Sequence, residues 1–184
     1  MTKKSLFSTK TIVATGLGAA LFMVLFMFVK IPSPIPETNL QIAYGVSAFF
    51  GAVFGPICGF LVAFIGHALN DFSYGAPWWS WVIASGVAAA IGGMVYFMID
   101  AESGKIGKSE IFKFCAMNIV GNAIAWGIIA PVLDIVIYAE PVNLVFTQGL
   151  VAFVLDAICA CVIGSLLLIA YAKTKTSKGS LTKE

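Results

Sequence analysis

His67, Asn70 and Asp71 stand at i, i+3 and i+4 in the run GHALND, so a helix through them brings an imidazole, a carboxamide and a carboxylate to one face. Such a face can bind the polar edge of a small molecule or pass protons. Ser73, Gly75 and Pro77 then make a turn, and Trp78, Trp79 and Trp81 open the next apolar run. Flat rings set across a short turn from hydrogen-bonding groups can line a pocket for a small polar ring compound. The same tryptophans equally suit a membrane-interface belt, with Asn70 and Asp71 merely ending a helix. Three more candidates lie within or beside apolar runs further on: Asp134, Gln148 and Asp156.

Those residues sit in an apolar chain. Hydrophobic residues make up 60% of the 184 positions and charged residues 11%, against roughly 25% charged in ordinary soluble domains. Mean hydropathy is +0.97. An integral membrane protein is the class this defines, a single domain with room for five to seven spans of about 20 residues each and none for a soluble catalytic domain. The 4 cysteines all fall inside apolar runs, and Cys159 and Cys161, two apart, point to different sides of a helix; they read as small buried residues. The net charge of +2 carries no indication of nucleic-acid binding, because the lysines sit where membrane topology places them. Gly107-Lys108-Ser109 looks like the end of a phosphate-binding loop, but Glu102 stands where that motif needs glycine and a membrane helix precedes it, so no nucleotide site is expected.

The expected architecture is an all-α bundle of six transmembrane helices over 11–29, 42–55, 57–71, 79–99, 111–138 and 143–171, with a polar tail over 173–184. The first helix carries Ala14 and Gly18 on one line and Gly16 and Ala20 on the next, a small-residue strip for close helix packing, either internal or with a partner. Pro32, Pro34 and Pro36 keep the following segment out of a helix and predict a stiff outer loop carrying Glu37, Asn39 and Gln41, a lid over a site or a plain connector. Two abbreviated helices meet at Gly55-Pro56. Asn118 and Asn122, four apart with Trp126 continuing their line, are expected to hydrogen-bond to neighbouring helices, and Pro131 to kink the fifth helix. Asp156 is costly in hydrocarbon and must face the bundle interior, water or a partner group.

With six spans and both termini cytoplasmic, Lys3, Lys4, Lys10, Lys105, Lys108, Lys113, Lys173, Lys175, Lys178 and Lys183 fall inside and Lys30 alone falls outside, as the positive-inside rule requires. The His67 to Trp81 stretch, the proline loop, Asp134, Gln148 and Asp156 then gather in the outer half. Glu37, Asp71 and Asp134 give that half an acidic bias, which suits a neutral or cationic ligand better than an anion.

The helix 1 strip, the loop IPSPIPETN, the hairpin FGAVFGPICGFLVAFIGHALND and the following YGAPWWSWVIASG together resemble the substrate-binding S components of energy-coupling factor (ECF) transporters. The resemblance is to an incompletely characterised branch grouped with the riboflavin-type S components, and it runs from helix 1 to helix 6. It implies a vitamin-binding subunit of a bacterial cytoplasmic membrane, working with a transmembrane T component and two cytoplasmic ATPases, with no catalytic residue, metal or cofactor of its own. The strip Ala14, Gly16, Gly18 and Ala20 would meet the T component. Candidate ligand contacts under the resemblance are Glu37, Asn39, Trp78, Trp79, Trp81, Asp134, Gln148 and Asp156, beside His67, Asn70 and Asp71 from the residue pattern. Rings with few polar groups suit a flat heterocycle such as a hydroxymethylpyrimidine, a pyridoxine-like ring or riboflavin. A stand-alone ion-coupled transporter using Asp156 and His67 as a relay is the alternative. An intramembrane enzyme ranks below both, since no nucleophile–base motif accompanies His67, Asp71 and Asp156.

Overall fold

The structure, a computed structural model, describes residues 8–175. Lys3, Lys4, Lys178 and Lys183, and most of the expected polar tail, lie outside the described residues. The order is α1 (Thr9–Phe28), β1 (Lys30–Pro32), β2 (Asn39–Gln41), α2 (Ala43–Phe54), α3 (Pro56–Phe72), α4 (Trp79–Gly93), α5 (Lys108–Ile124), α6 (Ala130–Tyr138) and α7 (Val142–Lys173). A 3-10 turn, Met94–Phe97, extends α4, and a π segment, Ala125–Ile129, joins α5 to α6 in one continuous rod. The chain is an all-α membrane bundle: four of its helices are long and apolar enough to cross a bilayer, and α2 and α3 are shorter apolar helices.

Local chemistry accounts for the element ends. Ser8 caps α1, its Oγ accepting from the Thr11 N–H at 3.1 Å. Gly55, at φ 100, makes the reversal between α2 and α3 that a residue with a Cβ would resist, and Pro56 then occupies the first turn of α3, where its missing N–H is not needed. Near the expected kink the rod from α5 to α6 leaves regular α geometry through the π segment just before Pro131, whose wider turn absorbs the hydrogen bond that proline cannot make. Asn118 packs against Gly92 of α4, but the Nδ2 groups of Asn118 and Asn122 do not hydrogen-bond to other helices as expected. Their Nδ2 groups donate back to the carbonyls of Phe114 and Asn118, both at 2.8 Å, because a carboxamide on a helix finds its own preceding turn within reach.

The loop expected between the first two helices holds a small antiparallel hairpin, with Lys30 opposite Gln41 and Pro32 opposite Asn39. Its turn closes through the Ser33 N–H on the Thr38 carbonyl at 3.2 Å, and Glu37 sits there at φ 60. Packing places α3 between α1 and α4, α2 against α3 and α7, and α5 between α4 and α7. One close crossing joins α2, α3 and α4: a Cβ on Gly59 would lie 2.9 Å from the Gly51 Cα and 2.8 Å from the Ala89 carbonyl oxygen. The core of this bundle includes Phe22, Phe26, Tyr44, Val62 and Trp126, while Ile12, Val13, Leu17 and Leu21 on α1 and Leu150, Val154, Ile158 and Val162 on α7 stay exposed, a surface suited to lipid.

Candidate functional site

One end of the bundle is hollow. A cavity of about 740 Å³ opens between the hairpin, the ends of α1 and α3, and the facing parts of α2, α4, α6 and α7. The hairpin and its loop supply Glu37, Thr38, Asn39 and Gln41, α3 supplies His67, Asn70 and Asp71, the turn and α4 supply Trp78 and Trp81, and α7 supplies Gln148, Ala152 and Asp156. Gln148, Ala152 and Asp156 follow each other at i, i+4 and i+8, so one stripe of α7 lines the wall. Gln148 Nε2 donates to the Pro36 carbonyl at 3.1 Å and so ties the hairpin loop to α7 above the hollow.

Asp134 organises the α4 side. It receives the indole N–H of Trp78 at 2.7 Å and that of Trp81 at 2.8 Å, and the Ser80 hydroxyl also donates to it. Trp78 stacks on Tyr138 with ring centroids 4.1 Å apart. Asp71 holds the other edge of the same indole-bearing turn, accepting from the Trp78 backbone N–H at 3.0 Å. Behind it a buried chain runs from Asp71 to His67 Nε2 at 3.6 Å, from His67 Nδ1 to Ser85 Oγ at 2.7 Å, and from Ser85 Oγ to the Tyr44 hydroxyl at 3.0 Å. Phe26 packs on the His67 ring with centroids 4.4 Å apart, and Trp81 meets Trp126 edge to face at 5.4 Å.

Among the candidates read from the sequence, Glu37, Asn39, His67, Asn70, Asp71, Trp78, Trp81, Asp134, Gln148 and Asp156 line this one cavity. Trp79 does not. Its ring lies against Phe64 and Phe72, each with centroids 6.2 Å away, on the outer side of α3 and α4. Trp79 and Trp81 are two positions apart on one helix, so their side chains diverge by about 200° and only one can face the hollow. Tyr44, Phe26 and Glu140, which sequence reading passes over, also line it, as does Trp126. Trp126 was legible only as the continuation of the Asn118 and Asn122 line, and Tyr44 looked like any aromatic in an apolar run.

The small-residue strip of α1 divides. Ala14 and Gly18 are buried in the chain's own bundle, where a Cβ on Gly18 would come 2.7 Å from Val62 Cγ2 and 3.1 Å from the Phe50 ring. Gly16 and Ala20 are exposed, and nothing lies within 4 Å of the Cβ position of Gly16. Only the second line is open to another chain in this conformation.

At the opposite end, Glu102 gathers Lys10 Nζ at 2.9 Å, Lys175 Nζ at 2.8 Å and the Tyr171 hydroxyl at 2.7 Å, which closes the start of α1 onto the end of α7. Burial works to raise the Glu102 carboxyl, but the hydrogen bonds from Lys175, Tyr171 and Lys10 outweigh it and bring it down to about 2. No group of three or more His, Cys, Asp or Glu side chains placed to hold a metal occurs among the described residues.

A helical membrane bundle with a polar and aromatic hollow at one end is a small-molecule-binding membrane subunit in form. Comparison with known proteins says which. Residues 6–173 match the family described as "ECF-type riboflavin transporter, S component", and the chain belongs to that family. It is 50% identical over 181 residues to "UPF0397 protein YdcD" of Lactococcus lactis subsp. lactis (strain IL1403), covering 96% of this chain and 98% of the relative. A "UPF0397 protein" of Streptococcus gordonii is 50% identical over 179 residues, covering 97% of this chain and 96% of the relative, and one of Lactiplantibacillus plantarum is 45% identical over the full length of both. The chain is therefore a multi-pass cell-membrane protein and a substrate-binding subunit of the transporter class, and the names of these three relatives state no substrate.

Proposed function

We propose that this chain is the S subunit of an ECF-type importer and captures a vitamin or vitamin precursor, a flat heterocycle of pyrimidine, pyridoxine-like or flavin type, from the outer side of a bacterial cytoplasmic membrane. Both termini face the cytoplasm in this reading, and transport is driven by two ATPases acting through a transmembrane T component. The observation that carries it is the cavity: about 740 Å³, ringed by Trp78, Trp81, Trp126 and Tyr44, and lying at the Lys30 end of the bundle, away from Lys10 and Lys175. That charge division agrees with an outward-facing mouth. The volume suits a ligand of one to three fused rings. Gly16 and Ala20, exposed on α1, offer the T component a smooth line for close approach.

The test is purification of tagged protein from its native membrane, with uptake measured in cells. Copurification of a transmembrane protein and two ATPases, and uptake that stops when the ATPases are deleted, is the expected result. Uptake that continues without them and collapses with the proton or sodium gradient would replace this reading with an ion-coupled transporter.

A further inference from the structure

Four of the residues that line the cavity each hold a buried polar atom without a hydrogen-bond partner: Gln41 Oε1, Asn70 Oδ1, Trp126 Nε1 and Asp156 Oδ1. Three are acceptors and one is a donor, a balance that favours an occupant that chiefly donates. The carboxylates in the wall are not alike. Asp134 spends its oxygens on Trp78, Ser80 and Trp81, and Asp71 accepts from Asn70 and from the Trp78 backbone. Asp156 is 3% exposed, and no ion pair reaches it among the described residues. Lys30, in the same wall, points its ammonium over the Tyr74 ring at 5.9 Å.

A carboxylate sealed in a bundle without a counter-charge is expensive, and it is kept where something brings the charge to it. Asn70, on α3, lines the same hollow and keeps its Oδ1 unpartnered while its Nδ2 donates to Asp71 at 3.1 Å. Between these acceptors the walls are aromatic: Phe26, Tyr44, Trp81 and Trp126. Ring faces attract a cation, and most strongly in a desolvated site. Resting on the substrate-binding reading above, we propose that the cavity selects a flat ring compound bearing a cationic nitrogen, an amidinium, aminoheterocycle or ammonium group, with Asp156 as its counter-ion and Asn70 Oδ1 as a second acceptor.

The probes are benzamidinium and benzamide, nearly equal in shape and different in charge, added to detergent-purified protein stripped by dialysis. Thermal unfolding is followed for the wild type and for Asp156→Asn. The expected result has two parts: benzamidinium raises the wild-type midpoint by about 2 °C more than benzamide does, a preference that disappears in the variant, and Asp156→Asn without any probe unfolds no earlier than the wild type. Equal shifts by the two probes in the wild type, including no shift by either, overturn the inference. So does a variant that unfolds earlier without probe, since that would mean Asp156 serves the fold through partners of its own. Failure to copurify a T component and ATPases would end the S-subunit reading and leave this charge preference standing, so the two failures are told apart.

Discussion

Trp81 Nε1 donates to Asp134 Oδ2 at 2.8 Å, across the gap between α4 and α6, while Trp78 Nε1 donates to the other oxygen of the same carboxylate at 2.7 Å. One buried side chain thereby fixes two indoles in the cavity wall. Three of its roughly four acceptor positions are taken by this chain's own donors, so its first effect is to position rings. Asp134→Ala leaves two indole N–H groups and the Ser80 hydroxyl without their acceptor. The expected cost is about 3 kcal/mol of stability, with a red-shifted tryptophan emission and weakened ligand binding. Tryptophan emission and a denaturation curve in the same detergent measure both.

Trp79 and Trp81 separate the cavity from the lipid-facing side. Trp81→Ala should weaken binding of the transported compound tenfold or more, since a ring that borders the hollow is lost. Trp79→Ala removes packing against Phe64 and Phe72 and should leave affinity within twofold of wild type. Isothermal titration on the two variants side by side measures this. Equal losses would mean that the hollow is not where the compound binds.

The bundle and the clustering of polar residues at one of its ends were legible because both depend on local patterning. Long apolar runs of spanning length mark α1 and α7, Gly55-Pro56 marks the break between α2 and α3, and His67, Asn70 and Asp71 share a face wherever a helix passes through them. Facing was not legible. Which of two tryptophans two residues apart turns inward, and which of two small-residue lines on α1 packs internally, depend on where α3 lies, and nothing local encodes that. Tyr44 went unnoticed, and Trp126 was not seen as a cavity residue, for a related reason: an aromatic in an apolar run is identical in sequence whether it meets a neighbouring helix or a void. The hairpin of β1 and β2 was hidden by prolines, which exclude helix but do not reveal that Lys30 will stand opposite Gln41.

The division of the α1 strip gives opposite outcomes for two glycines two positions apart. Gly18→Leu drives a side chain into Val62 and Phe50 and should destabilise the isolated protein by about 2 kcal/mol. Gly16→Leu points into open space and should leave the isolated protein's stability within about 0.5 kcal/mol. If the exposed line meets the T component, Gly16→Leu nonetheless blocks close approach and reduces recovery of the complex. Thermal unfolding of the isolated chain and pull-down of the tagged chain, run on both variants, decide the matter; full recovery of the complex with Gly16→Leu would remove Gly16 from the contact.

Glu102 joins the two ends of the described chain through Lys10, Lys175 and Tyr171, and its carboxyl is held at about 2 from an ordinary value of 4.5. A carboxyl lowered by folding binds its proton more readily in the unfolded chain, so its contribution is fully present above pH 4.5 and is lost as pH falls from there towards 2. The side chain is 30% exposed, and solvent screening reduces the contribution to about 1 kcal/mol. Glu102→Gln should therefore lower the unfolding midpoint at neutral pH by a few degrees and flatten its decline between pH 4.5 and 3 relative to wild type. Raising the salt concentration should narrow the neutral-pH difference, since charge pairs at the bundle's end are open to screening ions. Midpoints recorded across that pH range at two salt concentrations test the sign and the mechanism together: a variant whose acid decline runs parallel to wild type would show that the latch at Glu102 contributes nothing through its charge.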